Sequence, residues 1–242
     1  AVMIGLGKTI AELKAEGYLP KNMDGASLPQ NTAIAVKAAV LPFSRFRTPE
    51  GVVVDSLLSP EMRSTGEVMG LDTLYDTAFA KAQAGAGSPL PTEGKVFVSV
   101  ANHDKRNVII YAKMLEQLGF EIVSTGGTAD VLRRNGVNST VASKFAEANG
   151  QHSIVDMVRN GEIDLILNTP AGGAARSDGY EIRAAAVSVG CPVMTTISEF
   201  AAAVQAITAL RERSWEIINL QEHGEFLRTA CTGEQVREGE LS

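Results

Sequence analysis

Aromatic side chains are scarce, with four Tyr, eight Phe and one Trp in 242 residues. So few rings beside plentiful glycine and alanine favour helices packed on a sheet over a β-sandwich. Cysteine is rarer still. Cys191 and Cys231 have neither metal-ligand spacing nor a paired partner in sequence, so neither a metal knuckle nor dithiol chemistry is read from them, and Cys191 reads as a small core residue. No apolar run has the length or the flanks of a membrane span or signal peptide. No long basic stripe offsets the formal charge of −6, which argues against a general binder of nucleic acid or membrane surfaces. A soluble protein of a reducing, cytoplasmic setting is the expectation.

What the chain does have is concentrated in residues 95–128. The run Lys95–Val100 reads as a buried strand, broken by polar residues at 101–104. Val108, Tyr111, Ala112, Leu115 and Leu118 then recur at helical spacing from Lys105 onward, and Gly119 supplies a stop. A second strand, Phe120–Val123, opens into Ser-Thr-Gly-Gly-Thr. This is a β-α-β unit, and in an open parallel sheet the C-terminal ends of such strands line one ligand crevice. Helix-start amides, two threonine hydroxyls and a lysine suit a dianionic phosphate.

The pattern alternates onward through helix Thr128–Arg134, strand Thr140–Ala142, loop 143–152 and helix Ser153–Asn160, with Ser153 as N-cap. Strand Leu165–Asn168, helix Glu181–Val189, strand Val193–Thr195 and helix Ile197–Arg213 follow, the last opened by a Thr196/Glu199 capping box. A short strand over Trp215–Leu220 and a frayed tail complete the reading. Alternation of this kind predicts a Rossmann-like, parallel five-stranded sheet covered on both faces. Lys105, Thr125, Thr128, Lys144, Asn168 and Thr169 gather at predicted strand ends. Taken singly, the threonines read as helix caps and Lys144 as a solvated loop charge; their recurrence at several strand ends is what favours a ligand.

The first ninety residues are less regular. Gly7-Lys8-Thr9 invites a phosphate-loop reading, but that motif needs glycine where Val2 stands, and Thr9 with Glu12 reads instead as a capping box for helix Ile10–Glu16. The abrupt start suggests a segment of a longer protein. Val36–Phe43 reads as a strand held to an edge by Pro42, followed by a short strand at Val52–Val54. Residues 58–70 read as a tight turn in which Glu61, Arg63 and Glu67 pair. Helix Leu74–Gln83 leads into the Gly/Ala/Pro-rich linker 84–94, which predicts two domains, residues 1–92 and 93–242.

Both halves carry a resemblance. VLPFSRF, SPEMRSTGEVMG and AFAKAQ, in that order, resemble the close of the second ATP-grasp unit in the carbamoyl-phosphate synthase large-subunit family. STGGTADVL, NGEIDLILNTP and PVMTTISEF resemble the methylglyoxal synthase-like domain that ends the same family, roughly from Lys95 to Leu220. The resemblance implies an α+β remnant of an ATP-grasp domain followed by an allosteric domain, within an ATP-dependent ligase that feeds pyrimidine and arginine synthesis. It implies that a nucleotide monophosphate, uridine or inosine, binds at Lys105, Thr125, Thr128, Lys144 and Asn168, with Ser99, Asp178 and Ile182 as weaker matches. Thr195 falls on a position linked to ornithine. Pro170 and Gly172-Gly173 depart from some members, which bears on effector choice. The family's ATP- and metal-binding residues lie outside this stretch, so the resemblance implies ATP, Mg or Mn, and K for the whole enzyme, none for this segment, and a glutaminase small subunit as partner.

Methylglyoxal synthase itself needs a carboxylate base beside the phosphate. In the aligned loop Gln151 takes the place of that aspartate, and an amide is not a base. His103 is the one histidine in the phosphate region; His152 reads as a helix-start residue and His223 as tail. The expectation is a sensor with no catalytic residues and no metal of its own. The alternatives are a free-standing phosphate lyase, or a docking module with a vestigial site.

Overall fold

The computed structural model describes residues 2–19, 21, 33–45, 56–58, 60–142, 153–170, 175–219 and 221–223, with only the backbone described at 44 and 175–178. Two compact units divide the chain: residues 35–215, and residues 1–34 with 216–242.

In the smaller unit, α1 (Val2–Gly5) precedes α2 (Ile10–Ala15). The predicted capping box is present: Thr9 Oγ1 accepts the Glu12 N–H at 3.2 Å, and the Glu12 carboxylate accepts the Thr9 N–H at 2.8 Å. The Thr9 N–H and the Thr9 hydroxyl, both donating to the Glu12 carboxylate, hold that carboxyl below the usual range.

The larger unit opens with β1 (Ile34–Val40) and β2 (Gly66–Asp72), which form a two-stranded sheet. β1 ends two residues before Pro42, as a residue without an N–H requires. The predicted turn over 58–70 needs correction. Its second half is strand β2, and Glu67 pairs across the sheet with Lys37 at 2.7 Å, while only Glu61 and Arg63 pair with each other, at 3.7 Å. The predicted strand at 52–54 lies outside the described residues. Helix α3 (Tyr75–Gly85) packs on β2, and Leu90, within the predicted linker, is buried in the main core. The division into residues 1–92 and 93–242 rests on the composition of the linker 84–94.

From there the elements run β3 (Lys95–Ser99), α4 (Lys105–Gln117), β4 (Glu121–Ser124), α5 (Gly126–Arg134), β5 (Thr140–Val141), α6 (Ile154–Arg159), β6 (Leu165–Asn168), α7 (Ala175–Val189), β7 (Val193–Met194) and α8 (Ile197–Glu212). The five strands pair in the order β5-β4-β3-β6-β7, all parallel. Alternation along each strand sorts side chains between the two faces. Val96, Val98, Ile122, Leu165 and Leu167 pack under α4, α5 and α8. Phe97, Val123 and Ile166 pack under α6 and α7. The result is the α/β, Rossmann-like architecture predicted.

Three local expectations are revised. Helix α7 starts six residues before Glu181. At α8, Thr196 Oγ1 caps the Glu199 N–H, but the Glu199 carboxylate accepts from Thr195 N–H at 3.2 Å, so the box is half formed. Residues 213–219 form no strand.

Candidate functional site

Strand order places a topological switch beside β3. The chain moves outward from β3 through β4 to β5, then returns to add β6 on the other side of β3. Connections diverge there, leaving a crevice at the C-terminal ends of β3 and β6. Ser99 and Asn168, the last residues of those strands, are directly opposite in register.

Around this edge the structure brings together most of the residues singled out in the sequence. Thr125 is the N-cap of α5, yet its side chain makes no capping bond. Its Oγ1 lies 3.4 Å from Ser99 Oγ and donates to Thr128 Oγ1 at 3.4 Å, and Thr128 Oγ1 accepts the Val100 N–H at 3.5 Å. Such distances are long for hydroxyl bonds, so this cluster is grouped without being saturated. The first bonds of α5 run from the Thr128 and Ala129 amides to Thr125 O, both 2.9 Å, and no described residue accepts from the Gly126 or Gly127 N–H. Those amides sit at the positive end of a nine-residue helix.

Lys105, the first residue of α4, reaches over the same helix start. A Cβ built on Gly127 would lie 3.0 Å from Lys105 Nζ, so glycine lets the ammonium approach the backbone closely. Beside it, between α4 and α5, a groove of about 560 Å³ is lined by Lys105, Arg106 and Arg134 with Asn102, Ile109, Val131 and Asn135, and by no carboxylate. Three cations and free amides, with no carboxylate in the groove's lining, suit an anion. His103 is exposed and pairs with Asp104 Oδ2 at 3.3 Å.

Thr169 is buried. Its Oγ1 accepts the Ala101 N–H at 2.8 Å and its own N–H reaches Ser99 O at 3.1 Å, which ties the end of β6 to the loop leaving β3. Ile182 is a core residue packed with Phe97, Ile154 and Ile166. Asp178 lies in the first turn of α7, where only the backbone is described, and Lys144, Gln151 and His152 lie outside the described residues.

Thr195 is elsewhere. It lines a cavity of about 600 Å³ with Val36–Phe43, Ser56, Phe79, Gln83, Cys191 and Glu199. Burial pushes the Glu199 carboxyl above its usual range, and the Thr195 N–H bond only partly offsets this. Burial, helped by the Asp164 charge, pushes the Cys191 thiol up to about 12.

Sequence reasoning missed Arg106, Arg134 and Arg183. Arg134 ends a helix, where a cation is ordinary, and Arg106 carries no periodic signal. Arg183 is wholly buried and donates from Nη1 to Asn168 Oδ1 at 2.8 Å. Its one trace in sequence is Gly179, one helical turn earlier, a glycine inside a helix where another residue would be favoured.

Comparison with known proteins agrees with the resemblance. Residues 107–195 match the MGS-like domain family. The carbamoyl phosphate synthase large chain of Kocuria rhizophila is 63% identical over 240 residues, covering 98% of this chain and 22% of its own length. That of Pseudarthrobacter chlorophenolicus is 64% identical over 231 residues (94% and 21%), and that of Streptomyces griseus 54% over 233 (95% and 21%). The chain spans about a fifth of the length of these relatives. Over nearly all of its own length, the chain is thus a relative of one part of carbamoyl phosphate synthase large chains, built around an MGS-like domain.

Proposed function

We propose that this chain is the C-terminal regulatory portion of a carbamoyl phosphate synthase large chain: the end of an ATP-grasp unit, residues 1–92, followed by an allosteric domain, residues 93–242. The whole enzyme would make carbamoyl phosphate from ATP, bicarbonate and glutamine-derived ammonia in the cytoplasm, with a glutaminase small subunit. Among the described residues, no group of three or more His, Cys, Asp or Glu side chains is placed to hold a metal. ATP and its metal are assigned to the rest of the large chain.

The observation that carries the reading is the start of α5. Lys105 Nζ lies over Gly127, beside the loosely bonded Ser99, Thr125 and Thr128 hydroxyls and a cationic groove without an acid. A nucleoside monophosphate would dock its phosphate there, with Lys144 as a further contact on the family resemblance, and would place its sugar or base towards Asn168 and Thr169. Ligand binding then biases the equilibrium between two states of the catalytic unit, by its differential affinity for them. Uridine monophosphate is the expected inhibitor and inosine monophosphate an expected activator. The separate cavity holding Thr195, Ser56 and the desolvated Glu199 carboxylate suits an ammonium group, which fits ornithine.

Titration calorimetry with uridine monophosphate tests the reading. Binding by the purified chain is expected, and Lys144→Ala is expected to weaken it about ten-fold or more, the loss of one charge-assisted bond, without unfolding the domain. Unchanged affinity in that variant would refute the assignment.

A further inference from the structure

Arg183 heads the fully buried side chains of the described residues by volume. Burying a guanidinium costs several kcal/mol unless it is bonded, and arginine does not escape that cost by losing its proton. The bond from Nη1 to Asn168 Oδ1, at 2.8 Å, joins this buried cation to the last residue of β6, at the switch point. Gly179 clears the space. A Cβ there would lie 2.4 Å from Arg183 Nη1 and 2.8 Å from Asn168 Oδ1. A glycine inside a helix costs about 1 kcal/mol relative to alanine, a further sacrifice made where these two side chains meet.

The chemistry of the pair fixes a direction. A guanidinium has donors and no acceptor, so only the amide oxygen of Asn168 can face it, and the amide NH2 must face away. No described residue accepts from that NH2. An unrestrained asparagine presents either end of its amide to a ligand; this one is committed.

We propose that Arg183 is a positioning residue that locks the Asn168 amide so that the crevice meets two N–H donors and no carbonyl. The crevice would thereby select a phosphorylated ligand carrying an acceptor oxygen at the end of β6. The inference deepens the nucleotide reading and rests on it. A ligand presenting a donor there would leave both donors unpaired, and mismatches of that kind discriminate strongly in buried sites.

The test uses the full 242-residue chain with uridine monophosphate and inorganic phosphate as probes. Asn168→Asp keeps the shape of the side chain and an oxygen for Arg183, but turns an acceptor towards the crevice. Its affinity for uridine monophosphate is expected to fall about ten-fold or more, and that for inorganic phosphate by less than about three-fold. In the nitrogen-labelled wild-type chain, the Asn168 NH2 resonances are expected to shift with uridine monophosphate. In Arg183→Lys, which lacks the planar fork, the same pair should broaden before any ligand is added. If Arg183→Lys does not fold, Asn168→Asp decides alone. Wild-type affinity in Asn168→Asp, or NH2 resonances unmoved at saturation, overturns the inference while the nucleotide reading survives. No heat with either probe in the wild-type chain overturns the nucleotide reading itself.

Discussion

Lys105→Ala should push affinity and stability in opposite directions. Lys105 is the first residue of α4, followed by Arg106, and Asp104 at the N-cap makes no side-chain capping bond. A cation there meets the positive end of the helix, which costs about 0.3–1 kcal/mol. Among the described residues Lys105 has no ion-pair partner to repay that cost, so alanine is expected to raise the melting temperature by about 1–4 °C. The same ammonium lies over Gly127 at the start of α5. If it grips a phosphate, its removal forfeits a charge-assisted bond of about 1.5–3 kcal/mol. At ten-fold per 1.4 kcal/mol, that is about a 10- to 150-fold loss of affinity for uridine monophosphate. Scanning calorimetry and isothermal titration on one preparation read both quantities. Raising ionic strength should weaken wild-type binding more than variant binding, because the lost term is the screened one. A variant that melts lower than wild type and binds equally well would show Lys105 to be structural and would refute the reasoning.

Gly127→Ala probes the same contact from the other side. The new Cβ would stand 3.0 Å from Lys105 Nζ, a flexible tip that can give way, so affinity should fall by less than in Lys105→Ala, while loss of glycine from a helix adds up to about 1 kcal/mol of stability; an affinity loss equal to that of Lys105→Ala would mean that the backbone had moved. Glu199→Gln should flatten a pH dependence. Below the usual carboxylate range the group is protonated in both folded and unfolded chains and contributes nothing. As pH rises, the unfolded chain ionises first, because burial holds the folded value up, so stability falls across that window. The glutamine variant still accepts the Thr195 N–H and should melt higher than wild type at neutral pH. A lower melting point with an unchanged pH slope would contradict this. Cys191, with its thiol pushed up to about 12, should be nearly inert. At pH 7 its thiolate fraction is roughly 1 in 100,000, so in Cys231→Ser it should resist alkylation until denaturant is added, and rapid native labelling would disprove the burial argument.

Where a single chain segment settles its own structure, the sequence is enough to read it. Leu165–Asn168 is legible to the residue, because its apolar run starts after Asp164 and ends in polar residues just before Pro170. Thr9 with Glu12, and Ser153 as an N-cap, announce helix starts, and the capping bonds of both are present, Ser153 pairing with Asp156. The errors fall where distant segments decide. Gly66 and Gly70 look like turn residues, but pairing with β1 and packing by α3 make that stretch a strand. Residues 175–180, with a glycine and several polar groups, precede the helix start read at Glu181, whereas they form the first turns of α7.

The candidate site divides in the same way, for a physical reason. Hydroxyls and lysines at strand ends follow from the alternation of strands and helices, since a parallel sheet delivers every strand end to one edge. Lys105, Thr125, Thr128, Asn168 and Thr169 are legible on that ground. The Arg183–Asn168 bond spans fifteen positions and joins a helix interior to a strand end, and no periodicity encodes it. A charged residue on a helix face is ordinarily taken for a solvated one. Only the fold shows that this cation is enclosed, and that a glycine stands where a Cβ would strike it. An arginine so placed makes sense if what it holds must face one way. The orientation of the Asn168 amide, more than the number of cations around it, is therefore where ligand choice in this crevice should be sought.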